Sequence, residues 1–123
     1  MRWFWVFIWT GIIVFLSFLP ANNLPSYDIF DLLKVDKWVH VFFYYIYAFL
    51  LFRALGARGY FFLKALMVPV YCIGFGYAIE VFQQKFTSTR QFEWLDILFD
   101  AVGVVFYSVL WLRKIALDFK RKS

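Results

Sequence analysis

Cysteine, histidine and charge are scarce in this sequence. Its single cysteine, Cys72, cannot form an intramolecular disulfide, and we expect it to be a small buried side chain in an apolar run. Charged residues make up only 17% of the chain, whereas 64% is hydrophobic and 26% aromatic. A soluble domain of 123 residues could not bury that much apolar surface, because small domains leave much of their surface exposed. The composition therefore predicts an integral membrane protein.

The common signatures of catalysis are also missing. The chain has no nucleophile elbow, no phosphate-binding loop and no cysteine near its one histidine, His40. These absences favour a protein that binds a molecule over one that transforms it.

Four apolar runs predict an all-α fold, a bundle of four transmembrane helices forming one domain over residues 1–123. A span needs about 20 residues at a rise of about 1.5 Å each, so the second helix is expected to begin before its apolar run. The tract 27–35 could lie along the interface as a short amphipathic turn. The first run lacks a small-x-small cleavage site and is expected to be a retained span. The predicted spans are about 3–19, 36–55, 63–85 and 94–112.

Basic residues are distributed unevenly around these spans. Nine lie at the N-terminus, in the second loop and at the C-terminus, and four lie in the first and third loops. Because cytoplasmic segments carry the excess of Lys and Arg, we expect both termini in the cytoplasm of a multi-pass protein. The basic tail after Leu112 is expected to lie at an anionic membrane surface rather than on nucleic acid.

Polar and ionisable side chains converge on the predicted outer ends of the helices. His40 shares a helix face with Asp36 at four-residue spacing, and Asp96 shares one with Asp100. Asp100 comes six residues after Trp94, roughly 9 Å into the fourth span by helical rise. Charged groups inside a bilayer are costly, so such a cluster indicates a functional site. The residues expected to face one shared cavity are Asp36, Lys37, His40, Glu80, Gln83, Arg90, Asp96 and Asp100.

The order of these residues resembles the pattern of the VanZ-like family of small membrane proteins. That family carries Asp-Lys-x-x-His near the start of one helix, Glu-x-x-Gln at the end of the next, then a loop Arg, and Asp, Asn and Gly opening the last helix. Here "DKWVH" begins at Asp36, "EVFQQ" begins at Glu80, and "TRQFEWLDILFDAVG" contains Arg90. Asp100 stands where the family usually has Asn. The resemblance covers about residues 12–110 and implies a cell-envelope role in the bacterial plasma membrane, linked to teicoplanin-type glycopeptide resistance.

The favoured hypothesis is an outer-leaflet cavity that binds an anionic amphiphile, such as a lipid-linked precursor. Lys37 and Arg90 would hold the head group, because an arginine fork suits phosphate and carboxylate, and apolar helix faces would take the lipid chain. The expected partners are the bilayer and this lipid, with a membrane-protein helix as another occupant; no cofactor or nucleic acid is expected. The candidate ligand-binding residues are Lys37, His40, Glu80, Gln83, Arg90, Asp96 and Asp100.

One alternative is a membrane-embedded hydrolase acting on a lipid phosphate. His40 beside Asp36 would be an oriented base, and Glu80 or Asp96 the acid. A hard divalent ion could also be held by His40 with Glu80, Asp96 and Asp100. The neighbouring basic residues compete for those carboxylates, so we predict no metal site.

A second alternative is a structural bundle or a scaffold for a partner protein. The ionisable residues would then pair across helices, typically Glu80 with Arg90 and Asp96 with Lys37. Glycines on the same faces of the third and fourth helices indicate close helix approach. Interhelical hydrogen bonds in membranes contribute only about 0.6 kcal/mol on average, so packing alone is a weak reason for six ionisable side chains.

Overall fold

Four α-helices make up the fold in the computed structural model, which describes residues 1–18, 29–56, 58–87 and 92–122. Arg90 lies outside these ranges. The side chains of residues 29–36, including that of Asp36, also lie outside the description. No strand occurs in the described ranges, which confirms the all-α prediction. The helices are α1 (Arg2–Ser17), α2 (Ile29–Leu55), α3 (Phe61–Phe86) and α4 (Trp94–Lys122).

Three of these helices are long and apolar enough to cross a membrane. They are α3, α4 and the part Lys37–Leu55 of α2. The apolar α1 has 16 residues, about 24 Å at a rise of 1.5 Å per residue. Large apolar side chains such as Phe62 and Phe106 are exposed on the outer surface of the helices. Such an extensive apolar surface is typical of a protein surrounded by lipid. Three predicted spans are thereby supported, whereas the fourth span and the placement of the termini stay predictions.

The second helix is longer than its apolar run. It begins at Ile29, so residues 29–35 continue α2 instead of forming a separate interfacial turn. It ends at Leu55, as predicted, because Gly56 adopts a left-handed conformation with φ of 80°. The ammonium of Lys64 donates to the Gly56 carbonyl at 2.9 Å and so supplies a partner just past the helix end.

The fourth helix runs through the basic tail to Lys122, well beyond the predicted end at Leu112. Apolar residues continue at helical spacing in this tail. Ile115 packs against the core, and the Phe119 ring meets Phe61 at a centroid distance of 5.5 Å. The tail therefore keeps one face on the bundle while its basic residues lie outside.

The core sits around α2, which contacts each of the other three helices and packs most extensively on α4. Phe52 stacks on Trp111 with ring centroids 4.5 Å apart. Gly103 lets the two backbones approach closely, because a Cβ there would lie 3.0 Å from the Tyr45 nitrogen and also against the Val41 carbonyl. This close packing brings the polar part of α2 against the start of α4.

Candidate functional site

Lys37 joins α2 to the start of α4. Its ammonium donates to Glu93 Oε2 at 2.6 Å and to Asp96 Oδ1. Lys37 is 7% exposed and Asp96 is 8% exposed, whereas Glu93 is open to its surroundings. Asp96 lies in the first turn of α4, where the helix dipole also favours a negative charge. The expected Asp96–Lys37 pair is present, and Glu93, which the sequence pattern did not single out, supplies a second carboxylate.

His40 lies one turn further along α2 and is oriented by α4. Its Nδ1 is 2.7 Å from Asp100 Oδ1, and its Nε2 is 3.8 Å from Asp96 Oδ2. Asp100 is 1% exposed, whereas the His40 side chain is 22% exposed. Gly76 makes room for the carboxylate, since a Cβ there would lie 2.7 Å from Asp100 Oδ2. The carboxylate that fixes the imidazole therefore comes from Asp100 across the interface; the Asp36 side chain, the partner expected from sequence, lies outside the description.

Glu80 and Gln83 bring α3 into the same site. Glu80 is 1% exposed, and its Oε2 accepts the backbone N–H of Glu93 at 3.2 Å. The Gln83 side-chain amide donates to the Ser17 carbonyl at 2.6 Å. Ser17 is the last residue of α1, where carbonyls lack a partner within the helix. These two bonds tie α3 to the start of α4 and to the end of α1.

A cavity of about 110 Å³ lies among these side chains, and we call it the polar cavity. One part of its wall is apolar and comes from α1, α2 and α3 through residues such as Ile13 and Ile79. Lys37 and Asp96 form their ion pair next to it, and Asp96 contacts two residues of its lining, His40 and Glu80. The predicted site residues that do line the polar cavity are His40, Glu80, Gln83 and Asp100.

The described part of the site is rich in carboxylates. Glu80, Glu93, Asp96 and Asp100 face one lysine and one imidazole. Within the described ranges, no buried side-chain nitrogen or oxygen lacks a hydrogen-bond partner, and no three His, Cys, Asp or Glu side chains are arranged to hold a metal ion. A molecule in the polar cavity would thus meet both carboxylate oxygens and hydrocarbon.

Comparison of the chain with protein-family models, with curated proteins and with solved structures found no match. The resemblance to the VanZ-like family therefore stays a prediction from the motifs. What the site can do follows from its own chemistry. Two buried carboxylates, an oriented imidazole, an amide and two hydroxyl groups surround a cavity whose wall is about half apolar.

Proposed function

We propose that this chain is a VanZ-like protein of the bacterial plasma membrane whose polar cavity binds the head group of an anionic amphiphile, such as a lipid-linked cell-wall precursor. In this proposal four helices span the membrane, both termini are cytoplasmic, and the polar cavity faces the outer leaflet. The expected role is in the cell envelope, linked to glycopeptide resistance of the teicoplanin type. The observation that carries the proposal is a cavity lined by six polar and five apolar side chains. A wall of this mixed kind suits an amphiphile.

The head group would be divided between two kinds of contact. Glu80 and Asp100 can accept hydrogen bonds from hydroxyl groups such as those of a saccharide. Lys37 already donates to two carboxylates, so an anion would have to compete with them. We therefore assign the phosphate contact to Arg90, whose guanidinium suits bidentate phosphate binding, on the strength of the sequence motif.

The test is native mass spectrometry of the purified protein with its co-purified lipids. Wild type should retain a phosphate-bearing lipid, and Arg90→Ala should lose it while staying folded, because apolar packing carries the bundle. Lys85→Ala is the matched control, since it removes one exposed positive charge from the last turn of α3. A wild-type protein that retains no such lipid and takes up no added polyprenyl phosphate would contradict the proposal.

A second candidate function, hydrolysis of a lipid phosphate, is favoured by one observation. The hydrogen bond of 2.7 Å between His40 and the buried Asp100 is the arrangement of a general base oriented by a carboxylate. Glu80 faces the same polar cavity and could serve as the acid. Release of inorganic phosphate from a lipid phosphate by wild type, abolished in a folded His40→Ala variant, would establish this function instead.

A purely structural role is favoured by the pairing of Lys37 with Glu93 and Asp96. This role predicts that substitutions in the site unfold the protein and have no separate effect on the affinity for a ligand. If Arg90→Ala and His40→Ala both lose helical structure in mild detergent, the scaffold is the better description.

A further inference from the structure

A second cavity, here called the apolar cavity, lies between α1, α2 and α3 on the same face of α1 but nearer its N-terminus. Its volume is about 360 Å³, and its lining is largely hydrocarbon, including Leu51 and Val68. Its rim residues Phe7, Met67 and Tyr71 are exposed, so the apolar cavity opens sideways between the helices. Around a helix that spans a membrane, such an opening leads to the lipid chains.

Three hydroxyl groups form a hydrogen-bonded chain beside the apolar cavity. Thr10 Oγ1 donates to the Val6 carbonyl at 2.8 Å, Tyr47 OH lies 2.8 Å from Thr10 Oγ1, and Tyr71 OH lies 3.0 Å from Tyr47 OH. Thr10 and Tyr71 line the apolar cavity, whereas Tyr47 is fully buried behind them.

The number of hydroxyl protons fixes which group donates in each hydrogen bond of this hydroxyl chain. A hydroxyl group has one proton to donate and two lone pairs. Because Thr10 gives its proton to the Val6 carbonyl, Tyr47 must donate to Thr10, and Tyr71 must donate to Tyr47. Tyr71 is then the end of the chain, and it offers only lone pairs to whatever enters the apolar cavity.

We propose that the apolar cavity binds a neutral lipid alcohol, a long hydrocarbon chain with one free hydroxyl group, and that this hydroxyl donates to the Tyr71 oxygen. The hydrocarbon lining takes the chain, and the terminal acceptor selects a ligand that carries a donor. None of the described lining residues is charged, so an ionised head group would lose its hydration without gaining a partner of opposite charge. A methyl ether of the same length has no proton to donate, so its oxygen lone pairs would face those of the Tyr71 oxygen without forming a hydrogen bond. This site is separate from the polar cavity and does not depend on what the polar cavity binds.

The test uses a photoreactive long-chain alcohol that carries a diazirine, added to the purified protein in detergent, with labelled residues mapped by mass spectrometry. Labelling at Met67 should saturate, whereas labelling at Phe106, on the exposed face of α4, should rise in proportion to the probe. Unlabelled alcohol should compete about fivefold better than its methyl ether, the effect expected of one hydrogen bond. Val68→Phe should abolish the saturable labelling by filling the apolar cavity, and Val70→Phe, at an exposed position outside the lining, should not.

A second variant tests the hydrogen-bond acceptor, the Tyr71 oxygen, separately from the volume of the apolar cavity. Tyr71→Phe removes the terminal hydroxyl, so alcohol and methyl ether should compete equally while saturable labelling persists. This variant also decides the matter if Val68→Phe does not fold. Arg90→Ala should label as wild type does, so a failure of lipid-phosphate binding leaves this result intact. Equal competition by alcohol and ether in wild type, or labelling at Met67 that never saturates, would overturn the proposal.

Discussion

Replacing Lys37 by Met is the most informative change to the stability of this bundle. The substitution keeps most of the side-chain length and removes the ammonium that Asp96 and Glu93 share. Asp96 is buried and would lose its charged partner, whereas Glu93 is exposed and would keep its solvation. Breaking a buried pair by removing one partner costs about 3–5 kcal/mol, and an exposed pair contributes about 0–1 kcal/mol. With one described partner of each kind, we expect a loss of about 3–6 kcal/mol in the free energy of unfolding.

The assay is unfolding of the purified protein in mixed micelles, followed by far-ultraviolet circular dichroism. The double variant Lys37→Met with Asp96→Asn should regain most of the loss, because it removes the buried charge that the single variant leaves unpaired. Lys114→Met, an exposed lysine on α4, is the matched control and should change little. A loss smaller than about 0.6 kcal/mol, the mean for interhelical hydrogen bonds in a membrane, would refute the reasoning.

Three further outcomes are expected. Gly103→Ala should destabilise the protein by about 1–3 kcal/mol, because the added methyl meets the backbone of α2. Gly74→Ala should stabilise it by about 0.5–1 kcal/mol, because a methyl there has nothing within 4 Å and alanine favours the helix. The same unfolding assay measures both. Gly76→Ala should displace Asp100 and shift the imidazole NMR signals of His40, the only histidine, and unchanged signals would count against the described geometry. Reporter fusions at the C-terminus and in the loop between α3 and α4 should report opposite sides of the membrane, and a common side would contradict the four-span arrangement.

The sequence predicted the helical class and much of the arrangement of charges. Apolar runs identified the helices because a span must bury its backbone polar groups in its own hydrogen bonds. The Lys37–Asp96 pair could be expected because both residues lie at the same depth on neighbouring helices. The close approach at Gly103 was indicated by a glycine on a polar helix face.

Other features depend on how the helices are rotated and staggered, which a single sequence does not specify. The carboxylate that bonds His40 belongs to Asp100, sixty residues away, and no local spacing reveals that partnership. The hydrogen bond from the backbone N–H of Glu93 to the Glu80 carboxylate likewise depends on where α4 begins. The extension of α4 had a signal that was missed, because Ile115 and Phe119 continue the apolar stripe beneath the basic residues.

The central claim, that the polar cavity holds an anionic amphiphile, is tested most directly by filling it. Ile79 is buried and lines the polar cavity, whereas Ile97 is about equally buried but does not. The affinity of the purified protein for polyprenyl phosphate should fall at least about tenfold in Ile79→Phe, a loss of about 1.4 kcal/mol, and should be close to wild type in Ile97→Phe. Equal affinity in wild type and both variants would show that the lipid binds elsewhere and would contradict the claim.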